Sequence, residues 1–290
     1  MEITAKMVKD LRETSGAGMM DCKIALTENN GDMDLAIKFL REKGIAKSLK
    51  KESRIAAEGL ANVYVEGNKA VILEINSETD FVSKNDEFKE MMSTIGKILL
   101  NNKPANIDEA LTLDVDGETV KDYVIAKTAK IGEKLSFRRF TILNKTDEEA
   151  FGAYIHMGGR IAVLTKISGT NSDIAKDVAM QSAAMKPSFI TTNDVPADVL
   201  DNEKSIIKTQ ILEEGKPENI VDKIVEGRIK KFYTENCLEE QSFIKDDKLT
   251  VKTYLSNNNS NIVDAIRYEV GEGIEKKEEN FAEEVMKQIG

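Results

Sequence analysis

Ala61-Asn62-Val63-Tyr64-Val65-Glu66-Gly67-Asn68-Lys69-Ala70-Val71-Ile72-Leu73-Glu74-Ile75 decides the fold. It reads strand, turn, strand, and its second half is apolar enough to be a buried strand. The same pattern returns at Ala153-Tyr154-Ile155-His156-Met157-Gly158-Gly159-Arg160-Ile161-Ala162-Val163-Leu164-Thr165-Lys166-Ile167. One constant shift carries Val63 onto Ile155, Val65 onto Met157, Gly67 onto Gly159 and Ile75 onto Ile167. Each hairpin leads into a helix, expected over 83–100 and 172–184. Each repeat closes on a further strand, Phe137-Arg138-Arg139-Phe140 or Ile266-Arg267-Tyr268-Glu269. The unit is β-β-helices-β, with helices covering one sheet face. The expected fold class is α+β, with a pseudo-repeated core of two subdomains at 57–143 and 144–270.

The second repeat is the longer one. Its surplus reads as an inserted helical hairpin at about 197–232. Leu200, Ile207 and Ile211 form a stripe on the first arm. Gly215-Lys216-Pro217 stops that arm and starts the next, which carries Ile220, Ile224, Val225, Ile229 and Phe232. Two readings stand: the arms cover each other, or the hairpin docks on a second copy to form a homodimer.

Residues 1–45 read as a module of three short helices. Thr4 caps the first, which places Ile3, Met7 and Leu11 on one face. Gly16-Ala17-Gly18 breaks it, and Met20 and Ile24 share one side of the second helix. Asp32 or Asp34 caps the third. Leu35, Ala36, Phe39 and Leu40 form its expected buried face, and Gly44 its expected end. Met19-Met20 reads either as core filler or as an adaptable contact. Neighbouring helix positions point about 100° apart, so one of the pair can be inside while the other is free. The stretch 46–56, with Lys47, Lys50, Lys51 and Arg54, reads as a solvated basic linker. In the last stretch, 271–290, Asn280 caps a C-terminal helix with Phe281, Val285 and Ile289 on one stripe. Such a helix packs on the core or serves as a handle for a partner.

Composition narrows the function. The net charge is −10, a poor balance for gripping phosphate backbones, so no direct nucleic-acid contact is expected. Cys22 and Cys237 lie far apart, with neither metal-ligand spacing nor a disulfide framework, which fits a reducing, cytoplasmic setting. The start, Met1-Glu2-Ile3-Thr4-Ala5-Lys6, lacks the apolar core of a signal peptide, and no apolar run is long enough for a membrane span. His156 is the one histidine, and P-loop and dinucleotide patterns are missing. No enzyme activity, cofactor or bound metal is expected.

One loop stands apart from this framework. Ser77-Glu78-Thr79-Asp80-Phe81-Val82 joins the buried strand to Ser83-Lys84-Asn85-Asp86, a capping-box pattern that opens a helix. Asp80 and Phe81 are a carboxylate and an aromatic side by side. Either Phe81 folds back on its own helix with Asp80 as a cap, or the pair is a wedge for a partner's pocket.

Thr79-Asp80-Phe81-Val82 resembles the signature loop of the bacterial elongation factor Ts family. Thr14-Ser15-Gly16-Ala17-Gly18-Met19-Met20-Asp21-Cys22-Lys23 is similar to that family's N-terminal motif. Tyr154-Ile155-His156 with Gly159-Arg160-Ile161 is similar to its second contact element, with Ala162 where the family more often has Gly. Glu226-Gly227-Arg228-Ile229-Lys230-Lys231-Phe232 and Val270-Gly271-Glu272-Gly273-Ile274-Glu275-Lys276 also resemble its motifs. Residues 1–45 resemble a ubiquitin-associated-type module. The resemblance implies a translation elongation factor that binds elongation factor Tu, a GTPase, as its partner. It also implies that the factor displaces Mg²⁺ there and promotes GDP release so that GTP can bind. Thr79, Asp80, Phe81 and Val82 would bind the partner and dislodge its Mg²⁺. Arg12, Met19, Met20, Lys23 and His156 would add contacts. A rival expectation is a ubiquitin-associated-type scaffold that tethers partners through 1–45 and has no need of the Asp80-Phe81 pair.

Overall fold

The computed structural model describes residues 3–275. They divide into two compact units. One comprises 3–61, 73–141 and 269–275, the other 62–72 and 142–268. The expected helix with Phe281, Val285 and Ile289 lies outside the described residues.

The first unit opens with α1 (Ala5–Ser15), α2 (Met19–Glu28) and α3 (Met33–Leu49). The Thr4 hydroxyl accepts from the Met7 N–H at 3.2 Å and starts α1, and Gly16, at φ 65°, stops it. The Asp32 carboxylate accepts from the Leu35 N–H at 3.0 Å and starts α3. Val8, Leu11, Cys22, Ala25, Leu26 and Ala36 make the module's small core. Leu35, expected inside, is 52 % exposed, because the inward direction one step later belongs to Ala36. Gly44 does not end α3, which runs on to Leu49.

The chain continues with β1 (Glu58–Glu66) and β2 (Lys69–Ser77), whose turn ends at 62–72 belong to the other unit, then α4 (Asp80–Lys84) and α5 (Asp86–Asn102). There follow α6 (Ile107–Leu111), β3 (Asp114–Val115), β4 (Glu118–Thr119), α7 (Val120–Ile131) and β5 (Ser136–Asn144). Phe88, Met92, Ile95 and Leu99 of α5 repeat at helical spacing and are all buried, with Met91 beside them. The reason for Gly44 is its neighbour: a Cβ there would lie 3.4 Å from the Cβ of Ala129 on α7. Here glycine thins α3 where it crosses another helix.

β2 is the middle strand of the sheet β1-β2-β5, and Glu74 on it is fully buried. Its carboxylate meets Arg138 Nη1 at 3.1 Å and Arg139 Nε at 2.5 Å, both from β5. Asn76 Nδ2 donates to it at 3.0 Å and the Gly271 N–H at 2.9 Å. The two guanidiniums donate onward to the carbonyls of Glu272 and Glu269. Gly271 sits at φ 73°, and a Cβ there would come within 2.1 Å of the Ala57 carbonyl oxygen. One buried anion therefore ties two strands and the 269–272 segment together.

The second unit contains β6 (Glu149–His156), β7 (Ile161–Ser168), α8 (Ser172–Met185), α9 (Ala197–Glu213) and α10 (Glu218–Asn236). It ends with β8 (Ser242–Phe243), β9 (Asp246–Thr250), α11 (Val251–Asn257) and β10 (Ile262–Glu269). β6 pairs antiparallel with β7, placing His156 opposite Ile161. The sheet order β10-β7-β6 matches β1-β2-β5: the hairpin's second strand is central, flanked by its first strand and the closing strand. The sequence repeat is thus a repeat of topology. α8 lies directly on β6, where a Cβ at Gly152 would come 2.1 Å from the Ala175 backbone.

α9 and α10 cover each other through Ile207, Ile211, Val221 and Ile229, with Leu200, Ile224, Val225 and Tyr233 around them. Ile220, expected inside, is 39 % exposed, and its neighbour Val221 takes the inward place. Arg228 bridges the arms to Glu214 at 2.7 Å. No helix among the described residues is long and apolar enough to cross a membrane.

Removing Glu74 would strand two guanidiniums in a buried site. Glu74→Ala should cost about 3–5 kcal/mol, seen as a large fall in the urea midpoint. A change within about 0.5 kcal/mol, the range of ordinary surface substitutions, would mean that water replaces the carboxylate without penalty.

Candidate partner-binding site

After Ser77 the chain leaves β2 and immediately forms α4, a helix of 5 residues. The helix expected from Ser83 is in fact two helices. Asn85, extended at φ −68° and ψ 132°, separates α4 from α5, and its side chain accepts from the Glu87 N–H at 2.8 Å. Asn85, not Ser83, is the cap of the long helix. Ser83 sits inside α4 and donates to the Asp80 carbonyl at 2.6 Å.

That break orients the site. Val82 is 7 % exposed and Phe81 is 77 % exposed. Adjacent helical residues diverge by about 100°, so anchoring Val82 inside turns Phe81 outward. Phe81 is therefore not folded back on its helix. Asp80 is not a side-chain cap; it stands in the first turn and pairs with Lys84 at 3.0 Å. The Lys84 ammonium also lies 5.5 Å from the centre of the Phe81 ring. One lysine thus attends both residues of the pair. Exposed i,i+4 ion pairs contribute only about 0.3–0.5 kcal/mol, so Lys84 holds the pair only weakly.

Thr79 holds the start of α4 from below. Its backbone is extended, as at a helix cap, but its side chain caps nothing. The hydroxyl donates to Glu133 Oε1 at 2.7 Å and the N–H to Glu133 Oε2 at 2.9 Å. The Ser77 hydroxyl donates to the Thr79 carbonyl at 2.8 Å. Next to it, Glu78 accepts twice from Arg54, each at 3.2 Å, and once from the Lys134 N–H. Lys51 donates to the Gly132 carbonyl, and the Lys134 ammonium to the carbonyls of Glu52 and Arg54. The basic stretch is thus a strap across residues 132–134. Lys51 finds its acceptor there and Arg54 finds Glu78, both far away in sequence, which a local reading of the charges could not see.

On α2 both methionines face solvent, Met19 at 58 % and Met20 at 68 % exposure, and Ile24 joins them at 39 %. Neither is core filler, because Cys22, Ala25 and Leu26 already fill the inward stripe. Arg12 and Lys23 are exposed. On the opposite side the module packs on α7: Arg41 pairs with Asp122 at 3.1 Å and reaches Glu118 at 3.7 Å. The packing is open, leaving a cavity of about 660 Å³ lined by Gly16, Lys43, Glu87, Tyr123 and others. Lys127 and Lys130 both pair with Glu87 at its edge. Burial raises the Glu87 pKa, but the two ammoniums outweigh it and hold the carboxyl below its ordinary value.

His156 belongs to the second unit and is exposed at the end of β6. Its ring stacks on Tyr154 at 5.9 Å between centres, with the Tyr154 hydroxyl 3.4 Å from Nδ1. Ile155 and Met157 beside it are 38 % and 69 % exposed. The first unit holds Thr79 to Val82 with Arg12, Met19, Met20 and Lys23; His156 is carried by the other. Burial pushes the Cys237 thiol up to about 11, so it stays protonated near neutral pH. Among the described residues, no three His, Cys, Asp or Glu side chains are grouped so as to hold a metal ion.

A family model described as Elongation factor TS matches residues 78–272. The chain belongs to the elongation factor Ts family. It is a translation elongation factor. The match opens at Glu78, takes in the Thr79 to Val82 loop and His156, and closes at Glu272 beside the buried Glu74 cluster. Glu133 had no local signal in the sequence, and Glu74 only a faint one. Glu133 stands 54 positions from Thr79, and Glu74 looks like any polar residue in a strand. A charge inside an otherwise apolar run at a central strand was the one available hint for Glu74.

Phe81 and Val82 should separate on heating. Phe81→Ala leaves the thermal midpoint unchanged, whereas Val82→Ala lowers stability by about 1–2 kcal/mol. Scanning calorimetry of both variants decides; the reverse order would show that Phe81 is the anchor.

Proposed function

We propose that this member of the elongation factor Ts family is a guanine nucleotide exchange factor for elongation factor Tu. It accelerates GDP release, so that GTP can bind, without making or breaking a covalent bond. The observation that carries the reading is Phe81. A side chain of that size, 77 % exposed on a short helix whose next residue is anchored in the core, is placed for another protein's pocket.

Exchange requires binding the empty GTPase more tightly than the loaded one. By linkage, nucleotide then binds the complex more weakly by the same factor. Each tenfold of coupling needs about 1.4 kcal/mol. Burying Phe81 supplies roughly 1.5–3 kcal/mol, enough for one to two such factors. Asp80 adds an anion that disturbs the groups and waters holding the partner's Mg²⁺ beside the phosphates. A diphosphate with less neutralised charge leaves faster. The remaining grip comes from further exposed residues: Met19, Met20, Arg12 and Lys23 of the first unit, and His156 of the second.

The direct test is release of labelled GDP from elongation factor Tu. The chain in excess should raise the rate severalfold or more, and an unchanged rate would end the proposal. Asp80→Asn then isolates the ionic part. Its deficit should be clear at millimolar Mg²⁺ and smaller in excess chelator, whereas Phe81→Ala keeps its deficit in both. An Asp80→Asn deficit of equal size with and without Mg²⁺ would make Asp80 an ordinary contact.

A further inference from the structure

We infer that Glu133 is the positioning residue for the Asp80-Phe81 pair. Its carboxylate fixes Thr79, the post from which α4 springs, and so sets the direction in which the pair meets the partner. The inference rests on the exchange reading above.

A helix of 5 residues has no stability of its own, because nucleation consumes what so few hydrogen bonds return. Something outside α4 must hold it. Val82 holds one side by burial, which leaves rotation and tilt about that contact free. Thr79 removes that freedom. Its N–H and its hydroxyl go to the two oxygens of Glu133, and its carbonyl to the Ser77 hydroxyl. All three of its polar groups are therefore tied outside α4. The two bonds to Glu133 are charge-assisted, at 2.9 and 2.7 Å, and are the stronger kind. They also explain a local oddity. A threonine at a helix start ordinarily turns its oxygen to a backbone N–H of the first turn, and Thr79 does not.

Glu133 is itself firmly placed. Gly132, at φ 91°, ends α7 and turns the chain so that Glu133 faces the loop. Its neighbours are pinned on both sides, Gly132 by Lys51 and Lys134 by Glu78 and the strap carbonyls. The clamp is thus mounted on the end of a helix and not on a free loop.

The test compares Glu133→Ala and Glu133→Gln in the full chain. Each is made in the natural sequence and in a background carrying Asp80→Ala with Phe81→Ala. Glu133→Ala should slow stimulated GDP release about tenfold, on the scale of lost charge-assisted bonds. Glu133→Gln should keep most of the rate, since its amide can accept from the Thr79 N–H and donate to the hydroxyl oxygen. In the background without the pair, Glu133→Ala should cost nothing further. Amide hydrogen exchange of the free chain supplies a readout that needs no partner: α4 loses protection in Glu133→Ala and retains it in Glu133→Gln. An additive loss in the double-alanine background would overturn the inference, as would unchanged protection of α4. If the natural sequence fails to stimulate release at all, the exchange reading falls, and the hydrogen-exchange arm still decides whether Glu133 holds α4.

Discussion

The buried carboxylate of Glu74 is the constraint on which the first unit turns. An anion with no exposure inside a sheet survives only if its surroundings are built to receive it. Two guanidiniums from β5, the Asn76 amide and the Gly271 N–H meet that demand. Satisfying the charge ties β5 to its neighbour β2, because two adjacent arginines of β5 both end on this one carboxylate. It also returns the 269–272 segment to a unit whose other residues come from far earlier in the chain. Gly271 is glycine because the carbonyl of Ala57 occupies the space of a side chain and the backbone is left-handed there.

The Thr79 to Val82 loop grows from that frame by a short chain of supports. β2 delivers Thr79, Val82 seals the inner side of α4, and Glu133 holds its start. What remains outside is a phenyl ring and a carboxylate shared by a single lysine. These contacts are weak by the standards of the core, so the pair is presented without being locked. Rigid backbone with loosely held side chains is a surface that loses little freedom when something is placed against it.

Patterns with short periods were legible from the start. The doubled strand-turn-strand, the helical stripes of α9 and α10 and the caps at Thr4 and Asp32 need only neighbours a few positions away. Errors occurred where a neighbour in space outweighed a neighbour in sequence. Gly44 reads as a stop until α7 is seen beside it, and Lys51 and the half-exposed Arg54 gain acceptors that no local pattern announces. Leu35 and Ile220 are apolar, and yet the adjacent Ala36 and Val221 sit at the angle that points inward.

By itself the sequence determined the α+β class, the internal repeat, the three-helix start, the inserted hairpin and the identity of the Asp80-Phe81 pair, since these are properties of local spacing and residue chemistry. The tertiary structure alone decided that Phe81 faces out, that both methionines of α2 are free, and that Glu74 and Glu133 are the anions that organise their surroundings. The physical reason is range. Periodicity and capping act over one or two turns, whereas the partner of a buried or clamped charge is chosen by the fold, 54 residues away for Glu133 and Thr79 and 197 for Glu74 and Gly271.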